Sequence, residues 1–189
     1  MRLFLATACI AVLVASCDGG VGTDGGLDAL DVDDASIDGL DPNVTVELGT
    51  GQLEWEDFPR TGAQLELIYG AQGGYHVWGR ARFHGFPPDV DVNFSAVDLT
   101  TGRVLRTPTV WARRRIENGI GYALETEGNG TFATTAELVI LSIDCANEVV
   151  GHQLQVRVLV RDHVTQRIAT DTRTGLVIDE VNPTACVMH

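Results

Sequence analysis

Beyond Asn43, apolar and polar residues alternate with a period close to two. The clearest run sets Leu154, Val156, Val158 and Val160 on one side of the chain and Gln153, Gln155, Arg157 and Arg161 on the other. A strand with one face in a core has this period, because successive side chains point to opposite faces. Similar runs occupy residues 44–48, 64–69, 75–83, 90–97, 104–111, 137–142 and 168–178, separated by turns containing Gly, Pro or Asp. No window carries an apolar stripe of helical period with caps. Short strands at regular spacing predict an all-β domain over residues 44–189, a single antiparallel β-sandwich. An immunoglobulin-like arrangement is the expected form.

Two connections share one pattern. Asp98-Leu-Thr-Thr-Gly-Arg103 and Asp162-His-Val-Thr-Gln-Arg167 each join two alternating runs with an acid and an arginine five residues apart. Both are expected to be hairpin turns flanked by the Asp/Arg pair; the residues around them do not match further, so no repeat is inferred.

Before residue 44 the pattern changes. Arg2 is followed by fourteen apolar or small residues from Leu3 to Ser16, the form of an export signal. That length is too short to cross ~30 Å of hydrocarbon as a helix, so residues 1–16 are expected to be a cleaved signal peptide. Residues 17–43 follow as a linker in which eight aspartates, many glycines and no aromatic residue leave too little apolar surface to offset the entropy of ordering. A flexible linker of this length reaches on the order of 30 Å. Within it, Asp31-Val-Asp-Asp-Ala-Ser-Ile-Asp38 has Ser36 and Pro42 where a calcium-binding EF-hand loop needs glycine and glutamate, so no calcium site is expected.

Val14-Ala15-Ser16-Cys17 resembles the bacterial lipobox, an aliphatic residue and two small ones before a cysteine that receives a diacylglycerol. The resemblance implies lipidation at Cys17 and a chain anchored to a membrane of the bacterial cell envelope. Asp18 resembles an inner-membrane retention signal of enteric bacteria, a rule that does not transfer across bacterial groups, so inner and outer membrane both stay open. Export also bears on the cysteines left in the domain. Cys145 and Cys186 are expected to form a disulfide that ties the C-terminal tail to the sheet, worth ~3–4 kcal/mol in the chain-entropy model.

The most distinctive segment is Gly70-Ala-Gln-Gly-Gly-Tyr-His-Val-Trp78. It resembles the GxQGGxH turn of uncharacterised myxobacterial-type cell-envelope lipoproteins, matched here by Gly70, Gln72, Gly73, Gly74 and His76, with Ala71 where many such sequences have proline. With the lipobox, the acidic linker and the Asp/Arg pairs, the resemblance covers most of the architecture, and it implies an envelope lipoprotein with a β domain and no assigned activity. Physically, Gly73 and Gly74 permit positive φ, and the expected role of Gly70, Gln72, Gly73 and Gly74 is a structural turn that Gln72 and His76 fix through bonds to neighbouring backbone.

Charge and composition narrow the partners. The chain holds 13 basic residues, all arginine, against 26 acids, for a net charge of −13. A phosphate backbone needs a basic surface, so nucleic acid is excluded as a partner. His76, Trp78, Arg80, Arg82 and His84 share one face of a strand, and such a face packs across strands or stacks on a sugar or an anionic polymer. His76, Trp78, Arg80 and Arg82 are therefore the candidate binding residues, with Trp55, Trp111 and the Arg113-Arg114-Arg115 run as possible extensions.

No catalytic residue, metal ligand set or cofactor motif stands out. His76 and His84 lie ~26 Å apart along one strand and cannot share an ion, and His152, His163 and His189 complete no ligand motif. Ser36, Ser95 and Ser142 are the serines of the mature chain, and none sits in a GxSxG turn. Glu54, Glu56 and Asp57 around Trp55 offer carboxylates for a glycosidase but read first as solvated acids. The leading expectation is a non-enzymatic interaction or structural domain contacting envelope proteins; the alternative is a module for glycans or anionic polymers.

Overall fold

Each alternating run carries a strand, and the face that the period assigns to a core is the buried one. The computed structural model describes residues 42–71, 73–106, 112–114 (backbone only), 124–178 and 186. The export segment, Cys17 and nearly all of the acidic linker lie outside the described residues, as do Gln72, Trp111, Arg115 and His189. In chain order the strands are β1 (Thr45–Thr50), β2 (Glu56–Asp57), β3 (Ala63–Glu66), β4 (Ile68–Tyr69), β5 (Tyr75–His84), β6 (Val90–Asp98) and β7 (Val104–Arg106). They continue as β8 (Ala112–Arg114), β9 (Leu124–Gly128), β10 (Thr131–Thr134), β11 (Glu137–Leu141), β12 (Gln153–Asp162) and β13 (Ile168–Ile178).

These strands make an all-β sandwich of two sheets. The first runs β2-β1-β5-β10-β9, with β4 and β11 also paired to β5; the second runs β3-β13-β12-β6-β7, with β8 also on β6. Leu48, Val77, Ala81 and Phe83 of the first sheet meet Val92, Phe94, Val156, Val158 and Val177 of the second, all buried. Gly79 permits a close approach of the second sheet. A Cβ there would lie 2.8 Å from Val139 Cγ2 and 3.0 Å from Phe94 Cε1, so the Phe94 ring packs where a side chain of β5 would otherwise stand.

Among the described residues every strand pair is antiparallel except one. β3 runs parallel to β13 along the edge of the second sheet, which departs from the uniformly antiparallel expectation. The two strands are joined through most of the domain rather than by a tight turn, so chain connectivity does not impose an antiparallel pair. The single run expected over residues 64–69 is also divided. Leu67 donates its N–H to Ile178 O at 2.8 Å and is buried, and there the chain leaves the second sheet for the first. The β9–β10 hairpin was not among the expected strands; its turn holds Gly128, Asn129 and Gly130, all at positive φ.

Polar groups close the sides. Asp171, on the inner face of β13, accepts the Leu48 N–H at 2.8 Å and pairs with Arg173 Nη2 at 2.7 Å. The carboxylate thereby satisfies a backbone donor on β1 that no strand reaches, a donor that would be expensive to bury bare. Cys145 and Cys186 are disulfide-bonded, with Cα atoms 4.1 Å apart.

The two Asp/Arg connections are one construction used twice. Thr100 N–H and Thr101 Oγ1 donate to the Asp98 carboxylate, while Val164 N–H, Thr165 N–H and Thr165 Oγ1 donate to that of Asp162. The fifth position is left-handed in both, Gly102 at φ 74° and Gln166 at φ 63°. Asp98 N–H reaches Arg103 O and Asp162 N–H reaches Arg167 O, each at 2.9 Å. Burial would raise the Asp162 pKa, but the bonds from Thr165, Val164 and Arg167 outweigh it and hold the carboxyl at about 2.

Two outcomes follow from this packing. Gly79→Ala is expected to lower unfolding stability by ~1–3 kcal/mol in urea titrations, because Val139 and Phe94 must give way. A carboxyl whose pKa is depressed by folding stabilises above its ordinary value, and that contribution disappears as pH falls through the folded value. Urea titrations should therefore find on the order of 2 kcal/mol lost at Asp162 between pH ~4 and ~2, and Asp162→Asn should remove that part of the pH dependence.

Candidate functional site

β5 is paired on both edges and buried on most of its length. Tyr75, Val77, Gly79, Ala81 and Phe83 face the core, and His76, Trp78, Arg80, Arg82 and His84 face outward, as the period requires. An outward face of a two-layer sandwich is ordinarily wet, yet His76 and Arg80 are only 5% and 3% exposed. Something covers them.

At Arg80 the cover is the 51–57 segment. Arg80 Nη1 donates to Leu53 O at 3.4 Å, Nε to Thr134 O at 3.1 Å and Nη2 to Glu125 Oε2 at 3.3 Å. The guanidinium thus ties the covering loop to the point where β10 gives way to β11. Thr134 Oγ1 accepts the Ala81 N–H there at 3.0 Å. Trp55 lies flat against Gly49, where a Cβ would come within 2.5 Å of its ring, and its Nε1 donates to Asp57 Oδ1 at 2.9 Å. Arg82 sits 4.0 Å over the same ring and bonds Glu127, with Glu47 on its other side. The bond to Glu127, more than the opposing burial, raises the Arg82 pKa.

Both arginines singled out in the sequence are therefore engaged within the fold. They do not form an open cationic surface for an anionic polymer. His76 lies with Cε1 and Nδ1 beside Gly70 of the turn. Its Nε2 has no hydrogen-bond partner among the described residues, so the imidazole does not fix the glycine turn through that nitrogen. Its ring instead lies edge-on to Trp78, centroids 5.1 Å apart. Burial lowers the His76 pKa, which keeps the ring neutral at neutral pH. The turn closes through its own backbone, Gly70 N–H to Gly74 O and Gly73 N–H to Gly70 O, each 2.9 Å, with Gly73 and Gly74 at φ 88° and 85°.

At the Trp78 end the cover stops. β1 pairs with β5 no further than Arg80, and β4 begins at His76, so β5 has no described strand beside residues 77–79 on that side. A hollow of about 390 Å³ occupies the gap, lined by Gln52, Glu56, Gln64, Glu66 and Trp78 above Val77 and Leu65. A second, of about 380 Å³, is lined by Tyr69, the glycine turn, His76, Trp78, Leu138 and Ile140. Ile68 and Trp78 border both, so the two hollows adjoin, and together they are the Trp78 groove.

The apolar lining of that groove is open. Tyr69, Leu138 and Ile140 are 51%, 43% and 54% exposed. Leu138 and Ile140 were not candidates, though a signal existed. The run Leu138-Val-Ile-Leu141 is apolar on both faces, and one face of a strand in a two-layer sandwich points outward. Glu56 and Glu66 were missed as groove residues because their approach depends on the path of the 51–57 segment and β3, which alternation does not encode. Among the described residues no group of three His, Cys, Asp or Glu is placed to hold a metal ion.

No protein-family model matches the chain, and no curated protein does.

The two arginines should separate on mutation. Arg80→Met leaves a buried carbonyl and a loop without partners and is expected to cost ~2–4 kcal/mol in chemical unfolding. Arg82→Gln, which breaks half-exposed pairs, should cost under ~1 kcal/mol in the same assay.

Proposed function

We propose that the chain is a lipid-anchored lipoprotein of the bacterial cell envelope, held through Cys17, whose β-sandwich is a non-enzymatic interaction domain that contacts an envelope protein through the Trp78 groove. The observation that carries this reading is the grouping of apolar exposure. Tyr69, Leu138 and Ile140, three of the six exposed large apolar residues among those described, border one groove with Trp78, while Leu53, Leu99 and Val164 stand apart on turns and loops. Exposed apolar patches of this kind mark contact sites, whereas single exposed residues do not.

The anchor and its linker support the same reading. A lipid on Cys17 followed by an acidic linker would hold the domain on the order of 30 Å from the bilayer, within reach of other envelope components. The alternative, a glycan module, keeps the aromatic pair Trp78 and Tyr69 but loses Arg80 and Arg82 as contacts for anionic polymers.

We infer further that the sandwich is immunoglobulin-like. In support, β1-β5-β10/β11-β9 and β3-β13-β12-β6-β7/β8 follow the strand orders of that fold, the two-sheet path of the first strand pair included. The disulfide departs from it, since Cys145 and Cys186 lie outside β5 and β12, where the conventional inter-sheet bridge is found.

A photo-crosslinking residue at Ile140 tests the contact surface in intact cells producing the full chain. Discrete adducts with an envelope protein are expected from Ile140 and not from Val164; equal adduct patterns from the two positions would refute the groove as the contact. Labelled palmitate should enter the chain and fail to enter Cys17→Ala, and failure to label the unaltered chain removes the anchor.

A further inference from the structure

The groove is not electrically neutral. Glu56 and Glu66 both line the hollow beside Trp78, and among the described residues neither has an ion-pair partner. Arg80 pairs with Glu125, Arg82 with Glu127 and Glu47, and Arg60, between the two glutamates in the chain, with Asp171. Two exposed carboxylates on one hollow favour a cationic occupant over an anionic one. An aromatic face beside them adds attraction for the same charge.

A second, independent feature points to an occupant: Tyr69, Leu138 and Ile140 are exposed apolar residues lining the adjoining hollow. His76 is 95% buried by its 5% exposure, lines the adjoining hollow, and leaves Nε2 without a partner. That nitrogen is itself enclosed, so the hollow offers a partner its apolar residues and not the imidazole. The shape suits an extended segment. Three residues of β5 lack a strand on one side, a length of ~10 Å at ~3.3 Å per residue, and there Thr50 Oγ1 already donates to Trp78 O at 3.0 Å. Beyond them lie the open apolar residues Leu138 and Ile140.

We propose that the groove receives an extended segment of a partner protein in which one basic side chain, arginine or lysine, sits with its cation between Glu56 and Glu66 against the Trp78 ring, and a neighbouring apolar side chain lies over Leu138 and Ile140. This rests on the reading of the groove as the contact surface and names the chemistry it selects. A neutral glycan satisfies the aromatic residues but leaves both carboxylates uncompensated, and an anionic polymer is repelled.

The test uses the full chain purified in detergent and three probes: acetyl-Leu-Arg-Leu-amide, the same peptide with neutral citrulline for arginine, and a hexamer of N-acetylglucosamine. Amide NMR titration should show saturable shifts at Val77, Trp78 and Gly79 with the arginine peptide. Affinity should fall at least about tenfold with citrulline and with the double variant Glu56→Gln/Glu66→Gln, while Glu54→Gln, outside the groove, leaves it unchanged. All three are exposed positions, and an unchanged melting temperature shows that the double variant is folded. Equal binding of the citrulline peptide, no binding of the arginine peptide, or binding of the glycan alone overturns the proposal. The double variant placed in the Ile140 crosslinking strain separates the two claims. If adducts persist at full yield, the basic side chain is wrong and the contact surface stands; if they vanish while the unaltered chain forms them, both stand; if the unaltered chain forms none, both fall.

Discussion

The structure turns on how the outward face of β5 is covered. A central strand in a two-layer sandwich has its inner face buried by the opposite sheet, and its outer face is left to water unless the chain returns over it. Here it returns halfway. The connection leaving β1 crosses Arg80 and Arg82, held by the Arg80 bonds to Leu53, Thr134 and Glu125 and by Trp55 lying on Gly49. It then drops to the second sheet as β3, so no described strand continues beside Trp78 on that side. The groove, its carboxylates and its exposed aliphatic rim all follow from where that cover ends.

The same geometry explains why a cationic strand face is not a cationic site. In the sequence, His76, Trp78, Arg80 and Arg82 look alike as outward positions. In the fold they divide into two pairs. Arg80 and Arg82 fasten β1, β9, β10 and the covering loop to β5, and His76 and Trp78 are left to line an uncharged hollow, with Trp78 also bordering the one that holds Glu56 and Glu66. Local pattern assigns a residue to a face, but only the tertiary path decides whether that face is occupied by the protein itself.

Much of the fold was legible because burial on one face forces a two-residue period. The inward sets on β5, β6, β12 and β13 could be read off directly, and the matched Asp98 and Asp162 turns carried their chemistry in six residues each. The β9–β10 hairpin went unrecognised although Asn129-Gly130 is a strong turn signal, because its flanking strands are polar at Glu125, Thr126 and Glu127 and show little alternation. The parallel edge pair of β3 and β13 and the Asp171 cap on Leu48 join residues more than a hundred positions apart. No local pattern encodes such partners. The groove was half legible: Trp78 stood out, whereas Glu56, Glu66, Leu138 and Ile140 reach it only through the folded path.

The central claim is that the Trp78 end of the sandwich is occupied in the envelope and open in the isolated chain. Hydroxyl-radical footprinting reads this directly by comparing oxidation of Trp78, Leu138 and Ile140 in intact envelopes with that in the purified full chain, using Val164 as an exposed reference. The account predicts protection of the three groove residues in the envelope with Val164 unchanged. Equal oxidation of the groove in both settings would contradict it.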